Sequence, residues 1–365
     1  MSANGWSKGR GIIMEKQTVK KQKVFLSLEQ LYLSIFAIIL SLLITALIML
    51  VSGENPINAF QALLAGALGS KTAIATTLGK TVPLLFVGMA CAFSNKAGLF
   101  NIGCEGQLYI GALTATATAL AMQGLPRFLV ILVSFLTGMM SGALVGGFNG
   151  LLKAKLNINE VLVAIMLNYI MKFFASYCVH GPMKDPKSKV MQSPSIGQGY
   201  MLTKILPKSQ LTTALILGLI LAALLYVFIN KTGAGFALRA VGENGSAAQA
   251  AGISMVKTVI ITMAASGAIA ALTGVTEVFG KTGKFVDGFS PGYGFTGIAV
   301  AVLGNNHPVG VILSALLFGI LESGAMTMSY VAGVSTSMIK VMQGLVILFV
   351  ATPELVAFMK RRRAK

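Results

Sequence analysis

The chain is 365 residues long, 55% hydrophobic and 11% charged, with a formal net charge of +18. A soluble domain carries about 25% charged residues, and no single water-soluble core accommodates this much apolar surface; the composition indicates an all-α polytopic membrane protein. The positive charge does not indicate nucleic-acid binding. Lys8, Arg10, Lys16, Lys20, Lys21 and Lys23 precede the first apolar run, and Lys360, Arg361, Arg362, Arg363 and Lys365 follow the last.

Lys and Arg beside spans mark the cytoplasmic side, so both termini are expected inside, against anionic lipid, with an even number of spans. This divides the chain into a basic cytoplasmic segment (1–28), a transmembrane domain (29–354) and a basic cytoplasmic tail (355–365). The first apolar run begins late and lacks a small-residue cleavage site, so it reads as a retained helix rather than a signal peptide. Met14 is an alternative start.

A spanning helix needs roughly 20 apolar residues, and the charge-free runs predict about ten. The first covers 31–51. A short second (82–95) opens at Pro83, and the third (107–122) ends at the turn Gly124-Leu-Pro126. The fourth (128–152) reaches Lys153 and Lys155, which suit the cytoplasmic side, and the fifth (161–179) leads outward. A polar loop at 181–210 is expected outside, although Lys184, Lys187, Lys189, Lys204 and Lys208 against Asp185 argue for the other face. The sixth (211–229) returns to a small-residue segment at 235–254. The remaining four cover 256–278, 292–303, 309–324 and 337–351.

Three features interrupt this pattern. Lys96-Ala-Gly-Leu-Phe-Asn-Ile-Gly-Cys-Glu-Gly-Gln107 and Asp287-Gly-Phe-Ser-Pro-Gly-Tyr-Gly-Phe-Thr-Gly297 are Gly-rich breaks that echo one another, as in two loosely repeated halves. Such breaks mark transport paths when they lie at membrane depth; ordinary surface turns have the same composition. The third is the stretch 236–253. Its small residues suit a short helix in a partner's groove, Gly242, Gly245 and Gly252 suggest a helix–turn–helix, and Arg239 and Glu243 stand at i,i+4 for an ion pair. A loop resting on the membrane surface is the other reading.

Glu105, Glu160, Glu277 and Glu322 fall in or beside apolar runs, with Lys172 and Lys340 as counter-charges. An intramembrane acid costs at least about 2.5 kcal/mol on insertion scales and faces a polar interior or a partner. Glu105 sits with Asn101 and Gln107 at a break, suited either to ligand hydrogen bonds or to bracing the break. Glu160 follows Asn157 and Asn159 at a helix start, where an acid is favoured. Asn168, Tyr169 and Phe173 share the fifth span, and His180 and His307 read as turn histidines. Cys91, Cys104 and Cys178 have no paired spacing and no His cluster, so neither a metal site nor a disulfide framework is indicated.

Asn101-Ile-Gly-Cys-Glu-Gly-Gln107 resembles the N-I-G-x-E-G-Q signature of bacterial ABC importer permeases of the ribose and branched-chain amino-acid type. Lys153-Ala-Lys-Leu-Asn-Ile-Asn-Glu-Val161, Leu167-Asn-Tyr169, Gln192-Ser193, Arg239-Ala-Val-Gly-Glu-Asn244 and Ala251-Gly-Ile253 are similar to its nucleoside-importing branch. The resemblance covers about 82–353. It implies a non-catalytic permease in the bacterial cytoplasmic membrane, working with a second permease, a cytoplasmic ATPase and an extracytoplasmic Bmp-type lipoprotein. It also implies that Leu238, Arg239, Ala240, Val241, Gly242, Glu243, Asn244, Ala251 and Gly252 form the coupling helix that docks on the ATPase. Asn101, Glu105, Gln107, Asn168, Tyr169 and Phe173 are then candidates for the substrate path.

No Walker A run is present, so ATP and Mg are expected on the partner and no cofactor on this chain. A ribose-type sugar permease is the alternative within the family. A secondary transporter or channel shares the hydropathy but has no need of the coupling segment. A membrane-embedded enzyme would want clustered His, Asp or Cys inside the bilayer, and two His and two Asp in the chain disfavour it.

Overall fold

A computed structural model describes residue 36 and residues 38–349, except 208, 336, 339 and 347. The expected cytoplasmic segment 1–28, Met14, the start of the first span and the tail 355–365 lie outside the described residues. Among those residues the regular elements are helical, with two isolated antiparallel bridges, Gln192–Val286 and Lys204–Thr212.

The chain divides into two compact units. The smaller holds α1 (Ile38–Val51) and helical residues within 337–349, which correspond to the first and last expected spans. The larger, Ile57–Thr336, contains α2 (Pro56–Leu68), α3 (Lys71–Asn95), α4 (Cys104–Ala121), α5 (Arg127–Leu156), α6 (Glu160–His180), α7 (Ala214–Lys231), α8 (Gly233–Glu243), α9 (Gly245–Ala250), α10 (Met255–Glu277), α11 (Tyr293–Leu303) and α12 (Pro308–Ala332). Helices α3, α5, α6, α7, α10 and α12 are long and apolar enough to cross a membrane.

Most expected spans reappear with longer ends. The second starts at Lys71 rather than residue 82, because the Ser70 side chain accepts from Ala73 N and caps it there; Pro83 lies inside the helix. Buried neighbours make an interior proline tolerable in a membrane helix. The 13-residue α2 is an element that the hydropathy did not predict; at about 20 Å it is too short to span.

The centre of the larger unit is the α5–α10 seam. Gly138, Gly142, Gly146 and Gly150 recur every fourth residue along one face of α5. Cβ atoms on Gly142 and Gly146 would collide with the backbone carbonyls of Gly267 and Met263 on α10. Small residues at this spacing let two helix backbones touch, which replaces the missing hydrophobic drive in lipid. A Gly142→Leu variant is therefore expected to lose at least about 1–3 kcal/mol through overpacking. Its melting temperature in detergent should fall; an unchanged melting curve would refute the seam.

Loops gather at two ends. At one, the 181–213 segment lies on 123–127 and on the chain after α10: Arg127 donates to the Met201 carbonyl at 2.7 Å and Leu202 N to the Phe279 carbonyl at 2.8 Å. At the other, Asn95 Nδ2 donates to Asn306 Oδ1 at 2.8 Å and the Tyr226 and His307 rings meet edge to face.

Candidate functional site

The signature motif does not form a surface turn. After α3 ends at Asn95, the chain turns back among the helices, and α4 begins deep in the unit at Cys104. Gly106 N donates to Asn168 Oδ1 at 2.7 Å, and Asn168 Nδ2 to the Ile102 carbonyl at 2.9 Å. Asn168 lies about 12 Å along α6 from its first residue, so the break sits at that depth. The chain of α4 therefore re-enters the bundle.

Asn101 organises the turn. Its Oδ1 accepts from Gly103 N at 3.0 Å, and its Nδ2 donates to Gln107 Oε1 at 3.0 Å and to Ser266 Oγ at 2.8 Å. Ser266 Oγ in turn donates to the Ala90 carbonyl at 2.7 Å on α3. Asn101 and Gln107 are 2% and 1% exposed, and Asn168 is 6% exposed. These three amides satisfy one another and the freed backbone groups, which is how irregular backbone survives at membrane depth. Together these bonds brace the break.

The second break meets the first. The chain leaves α10 through a π-helical turn (Val278–Thr282) and descends to α11, which also begins inside the unit. Gly294 N, in the first turn of α11, donates to Glu105 Oε2 at 2.6 Å. A Cβ on Gly294 would strike the Glu105 backbone, so the starts of α4 and α11 touch. One carboxylate thus sits between the positive ends of two helices. Ser290 Oγ accepts from Tyr293 N at 3.2 Å, and the side chains of Ser290 and Lys172 lie near the same carboxylate.

Toward the 181–213 end, the descending chain presents Asp287 and Phe289. Ser176 Oγ donates to Asp287 Oδ2 at 2.9 Å, and His180 Nδ1 lies 3.8 Å from the same oxygen. The Phe289 ring packs on Tyr109, 4.9 Å between centroids, and on Phe285. Tyr169 and Phe173 do not join this cage. They stack on each other at 6.3 Å and are 60% and 66% exposed.

Most of the other acids find partners different from those expected. Glu277 pairs with Lys281 one turn on, Glu322 with Lys80 at 3.9 Å, and Glu160 with Lys153 at 3.0 Å. Lys340 belongs to the smaller unit. Asn159 caps α6 through Val161 N, leaving Glu160 in the first turn. Cys91 and Cys104, with no paired spacing, come to 3.5 Å between sulfurs because the re-entrant loop folds back, and both are free. Among the described residues no cluster of His, Cys, Asp or Glu could hold a metal ion.

The small-residue segment forms the helix–turn–helix α8–α9. Thr232 caps α8 through Gly235 N, and Asn244 caps α9 through Ala247 N. Leu238, Val241 and Ala248 are buried, whereas Glu243, Asn244, Ala251 and Gly252 are exposed and Arg239 and Ala240 lie at the margins of Leu238's face. Helical side chains lean toward the N-terminus; Arg239 Nε reaches back to the Gly235 carbonyl at 3.4 Å, and no Arg239–Glu243 pair forms. Gly242 lies directly on the chain at Lys96 and Ala97, where a Cβ would collide with the Lys96 carbonyl oxygen. Burial, and secondarily the nearby Arg239 guanidinium, lower the pKa of Lys96. Sequence reasoning saw this segment and the signature but had no signal that they touch.

Residues 73–351 match the family described as the branched-chain amino acid transport system permease component. The chain is 37% identical over 343 residues to the guanosine ABC transporter permease protein NupP of Bacillus subtilis (strain 168), covering 93% of this chain and 98% of that one. It is 35% identical over 334 residues to the nucleoside ABC transporter permease protein NupB of Lactococcus lactis subsp. cremoris (strain MG1363), covering 89% and 92%. A glucose ABC transporter permease protein, TsgB13 of Haloferax volcanii, is 34% identical over 319 residues, 85% of this chain and 83% of its own length. With two discontinuous helices meeting inside a bundle of apolar spans, the chain belongs to this family and is a membrane-spanning permease subunit of an ABC transporter.

Proposed function

We propose that this subunit imports nucleosides across a bacterial cytoplasmic membrane, as a heterodimer with a second permease, driven by a separate ATPase docked on α8–α9 and supplied by an extracytoplasmic lipoprotein. The observation that carries the coupling is the backbone contact of Gly242 with Lys96 and Ala97. Those residues open the loop that re-enters as Asn101–Gln107, so displacement of α8 reaches the discontinuous helices through one short piece of chain. No lever longer than a few residues is required.

Three further points support the reading. Apart from Phe236, the exposed face of α8–α9 is polar and built from small residues, as a helix seated in a partner's groove requires. Lys96 and Arg239 are held together at this face, where acidic groups of an ATPase would relieve their repulsion. The similarity also extends to a second permease protein of the same printed description in each of the same two organisms, guanosine NupQ of Bacillus subtilis at 27% over 260 residues and nucleoside NupC of Lactococcus lactis at 25% over 273. Two distinct permease proteins of one description in each organism accord with a heterodimer.

The nucleoside rests on the two relatives covering nearly the whole chain, and the glucose relative supplies the alternative. Uptake of labelled guanosine or uridine by the assembled transporter, competed with unlabelled nucleosides, ribose and glucose, separates them. Competition by sugars and not by nucleosides would overturn the substrate. Glu243→Lys reverses a charge on the exposed side of α8 and is expected to weaken ATPase association; co-purification and uptake at wild-type levels would count against docking there.

A further inference from the structure

Helix α6 carries two parallel ridges that the signature motif does not explain. Asn168, Lys172, Ser176 and His180 recur every fourth residue, and so do Tyr169, Phe173 and Tyr177. Positions four apart lie one above another on a helix, so a polar ridge and an aromatic ridge run side by side along α6. The polar ridge begins at the buried Asn168, bonded to the signature, and ends at His180 beside Asp287. The aromatic ridge is open: Tyr169, Phe173 and Tyr177 are 60%, 66% and 69% exposed.

Lipid alone does not suit this face. Lys172 is exposed about 18 Å along the helix from Glu160, near the depth where a lysine facing hydrocarbon costs at least about 2.5 kcal/mol on insertion scales. Against the polar ridge, Asp287 keeps its side chain 29% exposed while holding Ser176, and two residues further on Phe289 is half-buried over Tyr109. Carboxylate, hydroxyl and imidazole therefore converge at one end of a track, with open aromatic faces along it.

Building on the nucleoside reading above, we propose that the paired ridges of α6, with Asp287 against the polar one and Phe289 two residues beyond, form the permease's substrate track from its 181–213 end to the Glu105–Gly294 junction. A nucleoside has two chemically distinct parts, a flat heteroaromatic base and a ribose diol. The base stacks on Tyr169, Phe173, Tyr177 or Phe289 in turn, a contact that tolerates any base. The diol exchanges hydrogen bonds with Asp287, Ser176 and His180. Successive weak contacts suit passage, since a conducting site must release what it binds. The lowest rungs, Asn168 and Lys172, bring the substrate to the braced break, whose movement opens the way onward.

The test uses the complete transporter in proteoliposomes, with tritiated guanosine and labelled ribose as probes. Leucine keeps a side chain compatible with lipid but removes stacking, so the double variant Tyr169→Leu/Phe173→Leu is expected to lower guanosine uptake at least fivefold, roughly the effect of losing one or two base stacks. Phe173→Tyr should restore most of it, and Asp287→Asn should raise the KM for guanosine by several-fold, on the order of one lost charged hydrogen bond. Guanosine uptake by the double variant within about twofold of wild type would overturn the track, since a lost stack is worth more than that. Loss of the second permease from the purified double variant would overturn it too, assigning the ridge to the subunit interface. If the wild-type transporter carries ribose but not guanosine, the nucleoside reading itself fails, and that result needs no variant to be seen.

Discussion

Replacing Gly242 with valine is expected to abolish uptake while the associated ATPase still binds and hydrolyses ATP. A Cβ at this position collides with the Lys96 carbonyl and crowds Ala97, and neither is the movable tip of a side chain. Overpacking of this kind costs about 1–3 kcal/mol. Here the misfit falls on one junction, because Leu238 and Val241 anchor α8 on its buried side and Asn95 is tied to Asn306. The loop 96–103 is the element left to yield, and it carries Asn101. Uptake and ATP hydrolysis measured on the same proteoliposome preparation give the answer. Wild-type coupling in Gly242→Val would show that the contact transmits nothing.

Removing the Glu105 carboxylate should have the second large effect. Glu105→Ala strips the acceptor from Gly294 N and leaves two helix starts facing each other without a negative group between them. A hydrogen bond to a charged group contributes about 1.5–3 kcal/mol, and an orphaned buried donor adds its own desolvation cost. The variant is expected to melt at lower temperature in detergent and to transport little. Glu105→Gln keeps an acceptor oxygen at the same reach and should preserve the fold. Equal melting temperatures for Glu105→Ala and wild type would refute the bracing role. Gly294→Ala gives an independent check, since its methyl would push α11 away from α4 without altering any charge.

Each span announces itself by one property, an uninterrupted apolar run, and hydropathy integrates over local sequence. That is why α5, α6, α7 and α12 were legible to within a few residues at one end or both. Where a cap rather than composition sets the boundary, as Ser70 does for α3, the reading came out short by about three turns. The 13-residue α2 was missed for the opposite reason: it is too short to register as a span. The α5–α10 seam was present in the sequence as four glycines at four-residue spacing. Its meaning depends on what faces it, and Gly267 lies more than a hundred residues away.

The candidate residues divide along the same line. Asn101, Glu105, Gln107 and Asn168 were selected because polar groups are costly in an apolar setting, and that cost holds wherever the chain goes. For Glu105 the same argument leaves both readings open, bracing of the break ahead of ligand contact. The structure adds what sits on that carboxylate, the Gly294 backbone amide, with Ser290 and Lys172 nearby. Tyr169 and Phe173 share the span of Asn168, but one residue is 100° on a helix, so they form the open ridge beside the buried Asn168 rather than joining its hydrogen bonds.

By itself, then, the sequence determined the class of protein, the rough position of most spans, the two breaks and the segment between α7 and α10, because each rests on composition or on contacts within a few residues. Tertiary structure decided that the breaks lie at depth, that Glu105 joins α4 to α11, and that Gly242 rests on the chain leading to Asn101. Those contacts link residues from 62 to 189 positions apart, and only the path of the chain through the bundle brings them together.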